Sequence, residues 1–323
     1  MDIVTSLELL QDQTSSRTLK KVLDDIISDL RRGNQLSAAL SKHPEIFSPI
    51  YCRLLGVGEQ TGSLEAILRQ IADYMETEVT RSKSIKNALR YPITAFIVAI
   101  VVVGALITFV LPAFSNLYSS LGAELPTLTK MLISVTGNIR SYGIYILLAA
   151  LIIAGLTFAY MKTPDGRYKW HKLLLKLPLI GRANHLNELA RCCRSISLLF
   201  RAGLPLTEII PLVVQSSNNK VMAKALVDVQ QDMLKGEGLS QPMAKNELFL
   251  PLMVQMVKVG EETGKLDSTL LSVAQNYEAE AQDRTRRLIG LIQPAMTLII
   301  GGIVGFIALS MISAMYSIYG QAF

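Results

Sequence analysis

Charge is scarce in this chain. Of its 323 residues, 18% are charged and 50% are hydrophobic, whereas an ordinary soluble domain carries about 25% charged residues. The deficit is local. Three long runs contain no Asp, Glu, Lys, Arg or His: Pro92 to Leu111, Gly143 to Met161, and Pro294 to Tyr316. A helix of about 20 residues rises roughly 30 Å and crosses the hydrocarbon core of a bilayer, so each run reads as a span. Cysteine is sparse as well. Two of the three Cys are adjacent, Cys192 and Cys193, which excludes a disulfide framework and fits a reducing cytoplasm. No apolar run opens the chain, so no cleavable signal peptide is expected. No sustained alternation of apolar and polar residues predicts a strand.

Other absences narrow the function. Pumps and ion-coupled carriers place ionisable groups within their spans, and alternating access uses more than three of them. Here the spans hold no such group. The Gly260-Glu261-Glu262-Thr263-Gly264-Lys265 stretch is not a phosphate loop. Val259 stands five positions before Gly264 where that loop needs Gly, and Leu266 follows the Lys where it needs Ser or Thr. His43, His171 and His185 are scattered. His185 and Glu188 do not make an H-E-x-x-H motif, and Cys192 and Cys193 lack C-x-x-C spacing. No Gly-x-Ser-x-Gly elbow appears. No catalytic residue, cofactor or metal is expected.

What is present is a duplication. Val57-Gly58-Glu59-Gln60-Thr61-Gly62-Ser63-Leu64 returns as Val259-Gly260-Glu261-Glu262-Thr263-Gly264-Lys265-Leu266, identical at six of eight positions at an offset of 202. At the same offset Glu76 meets Glu278, Glu78 meets Glu280 and Pro92 meets Pro294. Each copy is thus a helical module feeding an apolar run. The Pro residues mark places where a helix begins or bends, since a missing N–H costs nothing in a first turn.

Flanking charge orients the spans. Arg81, Lys83, Lys86 and Arg90 precede the first. Lys162, Arg167, Lys169, Lys172, Lys176 and Arg182 follow the second, and Arg284, Arg286 and Arg287 precede the third. The stretch between the first two has only Glu124, Lys130 and Arg140, and the tail has no charge. The N-terminus is therefore expected in the cytoplasm and the C-terminus outside. The net charge of +6 sits beside the spans, which points to lipid headgroups and not to nucleic acid. The fold class is an all-α membrane protein with two homologous cytoplasmic helical-bundle modules and three transmembrane helices. The expected order is a first module over 1–90, a span over 92–111, a short external segment over 112–142, and a span over 143–161. A second module over 162–290, a span over 294–316 and an external tail over 317–323 follow.

Helical periodicity places Leu64, Ile67, Leu68, Ile71, Met75 and Val79 on one face, and Leu189, Cys192, Ile196, Leu199 and Phe200 on another. Gly33, Gly62, Gly203, Gly236 and Gly264 punctuate the helices. Aligning Gly33 with Gly236, Leu36 with Leu239 and Ser37 with Ser240 sets Met1 opposite Leu204. The first module then lacks the opening helix, Glu188 to Arg201, that the second has. Its absence predicts an exposed apolar stripe, in a chain truncated at its N-terminus or read from a misplaced start; the alternative is that a neighbouring subunit supplies the helix. In the repeated turn, Gly58, Thr61, Gly62, Gly260, Thr263 and Gly264 read as structural. Gly62 and Gly264 suit a positive φ at a helix end, and Ser63 suits a cap on the next helix. Gly301 and Gly305 form a GxxxG, a helix-packing pattern that is also common by chance.

These residues resemble a known family, the inner-membrane platform proteins of type II secretion and type IV pilus machines (the general secretion pathway F/PilC family). The resemblance rests on the doubled Val-Gly-Glu-x-Thr-Gly-x-Leu, on Lys176-Leu177-Pro178-Leu179-Ile180-Gly181 and on Leu198-Leu199-Phe200-Arg201-Ala202-Gly203-Leu204-Pro205-Leu206. Leu111-Pro112 and Leu125-Pro126-Thr127-Leu128-Thr129 add to it. It covers essentially the whole chain. Two places depart from the pattern: Ala314-Met315-Tyr316 where a Pro is expected, and Arg191-Cys192-Cys193-Arg194 where an aromatic residue is expected between two Arg. The resemblance implies a non-enzymatic protein of the bacterial cytoplasmic membrane. It implies coupling of a cytoplasmic ATPase to assembly of pilin or pseudopilin subunits, alongside other platform proteins and further copies of itself. A receptor or scaffold unrelated to filaments, or a transporter, is the alternative. Glu59, Glu261 and Glu262 are the candidate partner-binding residues, because an acidic turn recurs in both copies. The competing role for them is to cap or tie helices within each bundle. For Glu78 and Glu280, ion pairing on their own helix surface is expected.

Overall fold

The computed structural model describes residues 2–110, 112–113, 151–153, 155–178 and 180–321, with isolated positions between 134 and 149. The expected external segment, 112–142, and much of the expected second span lie outside the described residues. The described residues form helices and turns, with no strand among them. The chain divides into two compact units, one comprising Met1–Arg81 with Tyr168–Asp283, the other Ser82–Arg167 with Arg284–Phe323.

The first unit holds both copies of the repeat. The first copy comprises α1 (Ile3–Gln13), α2 (Arg17–Arg31), α3 (Leu36–Ser41), α4 (Pro49–Thr61) and the start of α5 (Leu64–Ala105). After α6 (Pro164–Lys176) and α7 (Gly181–Arg201) comes the second copy. It comprises α8 (Leu206–Ser216), α9 (Lys220–Met233), α10 (Ser240–Ala244), α11 (Pro251–Thr263) and the start of α12 (Leu266–Gln321). Local chemistry sets these boundaries. Asp2 and Asn219 cap α1 and α9 with side-chain oxygens, satisfying first-turn N–H groups that have no partner inside the helix. In both copies α4 and α11 open on a Pro and close on a left-handed Gly.

The apolar residues of both copies form one continuous core. Leu54, Leu186, Leu189, Ile196, Leu199, Ile209, Ile210 and Leu226 are fully enclosed in it, each stabilising the fold by about 1.5–3 kcal/mol. The helix α7 has no equivalent in the first copy. It lies along the start of α12, where the Ser197 hydroxyl donates to the Asp267 carbonyl at 2.6 Å and Arg194 grips Glu278. It also meets α5, through Tyr74 to Ser195 at 3.2 Å and Arg191 to Glu78 at 3.2 Å.

The single face expected from Leu64 to Val79 is split in the structure. Ile67 and Ile71 are buried, whereas Leu68, Met75 and Val79 are 42%, 44% and 48% exposed. Their equivalents Leu270, Tyr277 and Ala281 are 0%, 2% and 0% exposed, because α7 covers that side of α12. On α5 the same three positions form an exposed apolar stripe.

In the second unit, Ile93, Phe96, Val101 and Phe109 of the first run and Leu291, Leu298 and Ile299 of the last are exposed. Among the described residues, two helices are long and apolar enough to cross a membrane, with mean hydropathy of 2.9 and 2.0 over windows that are 0% and 6% buried. The core helix of a soluble protein would be covered, and apolar surface this extensive needs another partner. The Pro residues do not start new helices. Pro92 lies inside α5 and Pro294 inside α12. One missing hydrogen bond, at about 3 kcal/mol, interrupts neither helix. A Cβ built at Gly301 or Gly305 meets nothing within 4 Å, so the GxxxG face is open in the single chain.

Candidate functional site

The repeated turn joins α4 to α5 and α11 to α12, and each shared residue has a geometric task. Gly62 and Gly264 sit at φ of 70° and 69°, a left-handed conformation that disfavours a Cβ. Their N–H groups donate to the carbonyls of Gly58 and Gly260. The next N–H, of Ser63 or Lys265, reaches the same carbonyls at 2.9 and 3.1 Å. Gly58 and Gly260 also let the paired helices close together. A Cβ at Gly58 would lie 3.2 Å from the Leu64 Cα, and one at Gly260 2.9 Å from the Leu266 Cα. The Thr61 and Thr263 hydroxyls donate back to the carbonyls of Val57 and Val259 at 2.8 and 2.7 Å. Ser63, expected as a cap, has its hydroxyl 2.6 Å from that of Thr61.

The glutamates act on a neighbouring helix. The Glu59 carboxylate accepts from the Leu36 N–H at 2.5 Å, the Ser37 N–H at 3.3 Å and the Ser37 hydroxyl at 2.5 Å. In the second copy Glu261 accepts from the Leu239 N–H at 2.5 Å and the Ser240 N–H at 3.0 Å. Each carboxylate thus caps a short helix, α3 or α10, from a distant turn, where first-turn N–H groups and the helix dipole both favour an anion. Gly238, at φ 72°, lets the chain pass close to Glu261. Glu262 has a different setting. Its side chain is 64% exposed, with Lys258 4.0 Å away.

Ion pairs tie the bundles together. Arg194 makes two hydrogen bonds to Glu278, at 2.8 and 2.5 Å, with both side chains mostly enclosed. Glu78 pairs with Arg191 of α7, a tertiary contact that the sequence did not suggest. Arg191 and Arg194, on either side of the two Cys, thus each reach a glutamate of another helix. Asp29 holds Lys42 at 2.5 Å and Asp232 holds Lys245 at 3.3 Å. Hydrogen bonds from those Lys side chains, with Lys235 acting first at Asp232, hold both Asp carboxyls below their usual range. Sequence reasoning missed this pair, although an Asp-to-Lys spacing of 13 recurs in both copies.

A polar cleft between the copies is lined by Tyr51, Tyr74, Glu78, Glu188 and Arg191. Burial raises the Glu188 carboxyl, with Arg191 opposing. The thiols beside it are inert. Burial pushes Cys192 up to about 12 and Cys193 well above its ordinary value, so neither forms a thiolate near neutral pH. His185 Nε2 lies 2.7 Å from the Leu248 carbonyl, and burial lowers its pKa. His171 Nδ1 accepts from the Lys220 N–H at 3.0 Å. Among the described residues no three His, Cys, Asp or Glu converge as metal ligands would. These groups serve packing and capping.

The sequence profile of type II secretion system (T2SS) protein F matches residues 1–112 and 192–314, most of both copies. The chain belongs to that family. Among its relatives is the type IV pilus assembly protein PilC of Thermus thermophilus, 33% identical over 99% of this chain and 79% of the relative. PilC of Pseudomonas aeruginosa is 30% identical over 96% of this chain and 83% of the relative. The type II secretion system protein F of Pseudomonas aeruginosa is 28% identical over 98% of this chain and 78% of the relative. Pilus and secretion relatives stand at similar distances, in keeping with one helical membrane architecture serving both kinds of machine.

Proposed function

We propose that this chain is an inner-membrane assembly platform of a type IV pilus or type II secretion machine, coupling a cytoplasmic ATPase to assembly of pilin or pseudopilin filaments. The observation that carries the reading is the family match across both copies of the duplicated module, each of which continues into a helix that enters an apolar stretch. A platform of this kind is not an enzyme. Force originates in the ATPase and is received by the module pair. Both modules lie in the cytoplasm, three spans cross the bilayer and the C-terminus is external, as the flanking basic residues favour. Further copies, other platform proteins and lipid are its membrane partners. On the ATPase side we place the repeated acidic turns. Glu262 offers an exposed carboxylate there, and Glu59 and Glu261 hold the adjoining helix starts.

The test is crosslinking in native membranes followed by capture of this chain. A hexameric ATPase and pilin-like proteins are expected in the eluate. Their joint absence, with the chain itself recovered, would favour the receptor or scaffold reading. A cysteine at position 220 should react with an impermeant thiol reagent only from the cytoplasmic face.

A further inference from the structure

The helix α6 has two unlike sides. Tyr168 and His171 turn to the second copy: the Lys224 ammonium lies 5.8 Å from the Tyr168 ring centroid, and the Lys220 N–H donates to His171 Nδ1 at 3.0 Å. The far side is uncovered. Leu173 is 52% exposed and Leu177, one turn on, is 40% exposed, with Ile180 at 53% in the turn that follows. Trp170, Leu173 and Leu177 stand at i, i+3 and i+7, a single row at helical period. The residue before each of them is a lysine. Lys169, Lys172 and Lys176 form a second row about 100° round the helix, and all three are exposed.

The chain before α6 says what covers the apolar row. Only Thr163 separates α6 from the apolar helix Leu151–Lys162, whose Leu151, Leu156 and Phe158 are exposed. The last turn of that helix has the marks of a membrane–water boundary. Tyr160 is 50% exposed, and the Lys162 ammonium reaches back to 5.1 Å from the Phe158 ring centroid. The chain then bends at Thr163. The Thr163 hydroxyl accepts from the Gly166 N–H at 3.1 Å, and a Cβ at Gly166 would lie 2.9 Å from the Tyr160 carbonyl carbon. The first turn of α6 thus sits against the end of the apolar helix. With 13 residues, α6 is about 20 Å long. Upright, it would carry Leu177 that far into water; flat, it keeps the row at the depth of Tyr160. Asp165 is the only acid between Lys162 and Glu188, so little on this stretch competes with anionic headgroups for the lysines.

We propose that α6 lies flat in the membrane–water interface, with Trp170, Leu173 and Leu177 among the first carbons of the acyl chains and Lys169, Lys172 and Lys176 among anionic phosphates. Such a helix binds through buried apolar area and attraction to anionic lipid together. It tethers the second copy to the bilayer at the point where that copy begins. The occupant is lipid because the apolar row is bordered by lysines and follows directly on a helix that ends at a boundary. This inference rests on the three-span reading above and needs neither the ATPase nor pilin.

Trp170 is the only tryptophan in the chain, so intrinsic fluorescence reads this helix in the unaltered protein. The full chain is reconstituted in vesicles of phosphatidylcholine and phosphatidylglycerol. The phosphatidylcholine is brominated either near the headgroup or near the tip of its acyl chains, and iodide is the quencher in water. Bromine near the headgroup should take the largest share of the Trp170 emission, with chain-tip bromine and iodide taking less. Trp170→Phe with Leu173→Trp moves the reporter one turn along the row and should rank the quenchers in the same order. Lys169→Glu, Lys172→Glu and Lys176→Glu together should raise iodide quenching of Trp170, as should leaving out phosphatidylglycerol. Strong iodide quenching with no loss to either brominated lipid would put the row in water. No loss to any of the three would mean that protein covers it, and a larger loss to chain-tip bromine would bury it in the bilayer core. Each of these overturns the proposal. Trp170→Phe with Leu156→Trp separates the two readings: quenching of that reporter by brominated lipid, without quenching of Trp170, sinks the interfacial helix and leaves the span standing.

Discussion

Replacing Glu261 by Ala removes the side chain that caps α10 from a distant turn. Two backbone donors, the Leu239 and Ser240 N–H groups, lose a carboxylate acceptor. Hydrogen bonds to a charged group contribute about 1.5–3 kcal/mol each, and water recovers part of that at a half-buried site. We therefore expect a net loss of about 2–3 kcal/mol. In a domain of roughly 150–250 residues each kcal/mol moves the midpoint by about 2–4 °C, so the melting temperature should fall by roughly 4–12 °C. Glu261→Gln keeps one acceptor oxygen and should fall between Ala and wild type. Glu262→Ala touches a mostly exposed side chain and should cost less than about 0.5 kcal/mol. The assay is reaction of a thiol dye with purified full-length protein on heating, because Cys192 and Cys193 are enclosed until the bundle opens. A Glu261→Ala melting curve that overlays the wild type would refute the capping argument. If Glu261→Gln kept its stability but lost ATPase capture, the turn would be an interface first.

The two glycines of the turn should separate by mechanism. Gly264→Ala meets open space but a φ of 69°, so it should cost about 1 kcal/mol of backbone strain. Gly260→Ala would drive a Cβ to 2.5 Å from the Thr269 hydroxyl and 2.9 Å from the Leu266 Cα. It should destabilise more than Gly264→Ala in the same melting assay, and the reverse order would contradict the close-approach argument. Arg194→Ala takes the cation from an enclosed Glu278, and such losses run to about 3–5 kcal/mol. Arg194→Leu combined with Glu278→Leu should recover much of it, and failure to recover would mean the pair is needed for more than charge balance. For pH, burial lowers His185 below its ordinary 6.5, so the folded state favours the neutral ring. That stability is complete above pH 6.5 and is lost as pH falls below it. Melting temperature should drop between about one unit above and about one unit below the ordinary histidine value, and more shallowly in His185→Gln. Equal slopes would remove His185 from the account. The Asp29 and Asp232 pairs act lower. Their contribution is present above 3.8 and is lost only as pH falls below that value.

Much of the fold is legible because it is written twice. The duplicated octapeptide gave the helix-turn-helix, the left-handed glycines and the equivalence of α4 with α11. The charge-free runs gave the membrane character of α5 and α12. Other features were hidden for physical reasons. Pro92 and Pro294 read as places where a helix begins or bends, because propensity is local, and the helices run on through them on the strength of the hydrogen bonds to either side. The Glu59 and Glu261 carboxylates could be read as surface acids or as ties. Their partners lie more than 20 residues away, across a packed interface that periodicity does not describe. The stripe of Leu68, Met75 and Val79 looked like core because it has the right spacing, and it is exposed because no helix among the described residues lies over it.

The sequence alone determined that this is a duplicated helical protein with apolar, uncharged helices, since repetition and hydropathy are properties of residue order. Tertiary structure decided which acids cap helices and which apolar face α7 covers. Those outcomes depend on which groups end up within a few ångströms of one another, and residue order constrains that only through packing of the whole chain.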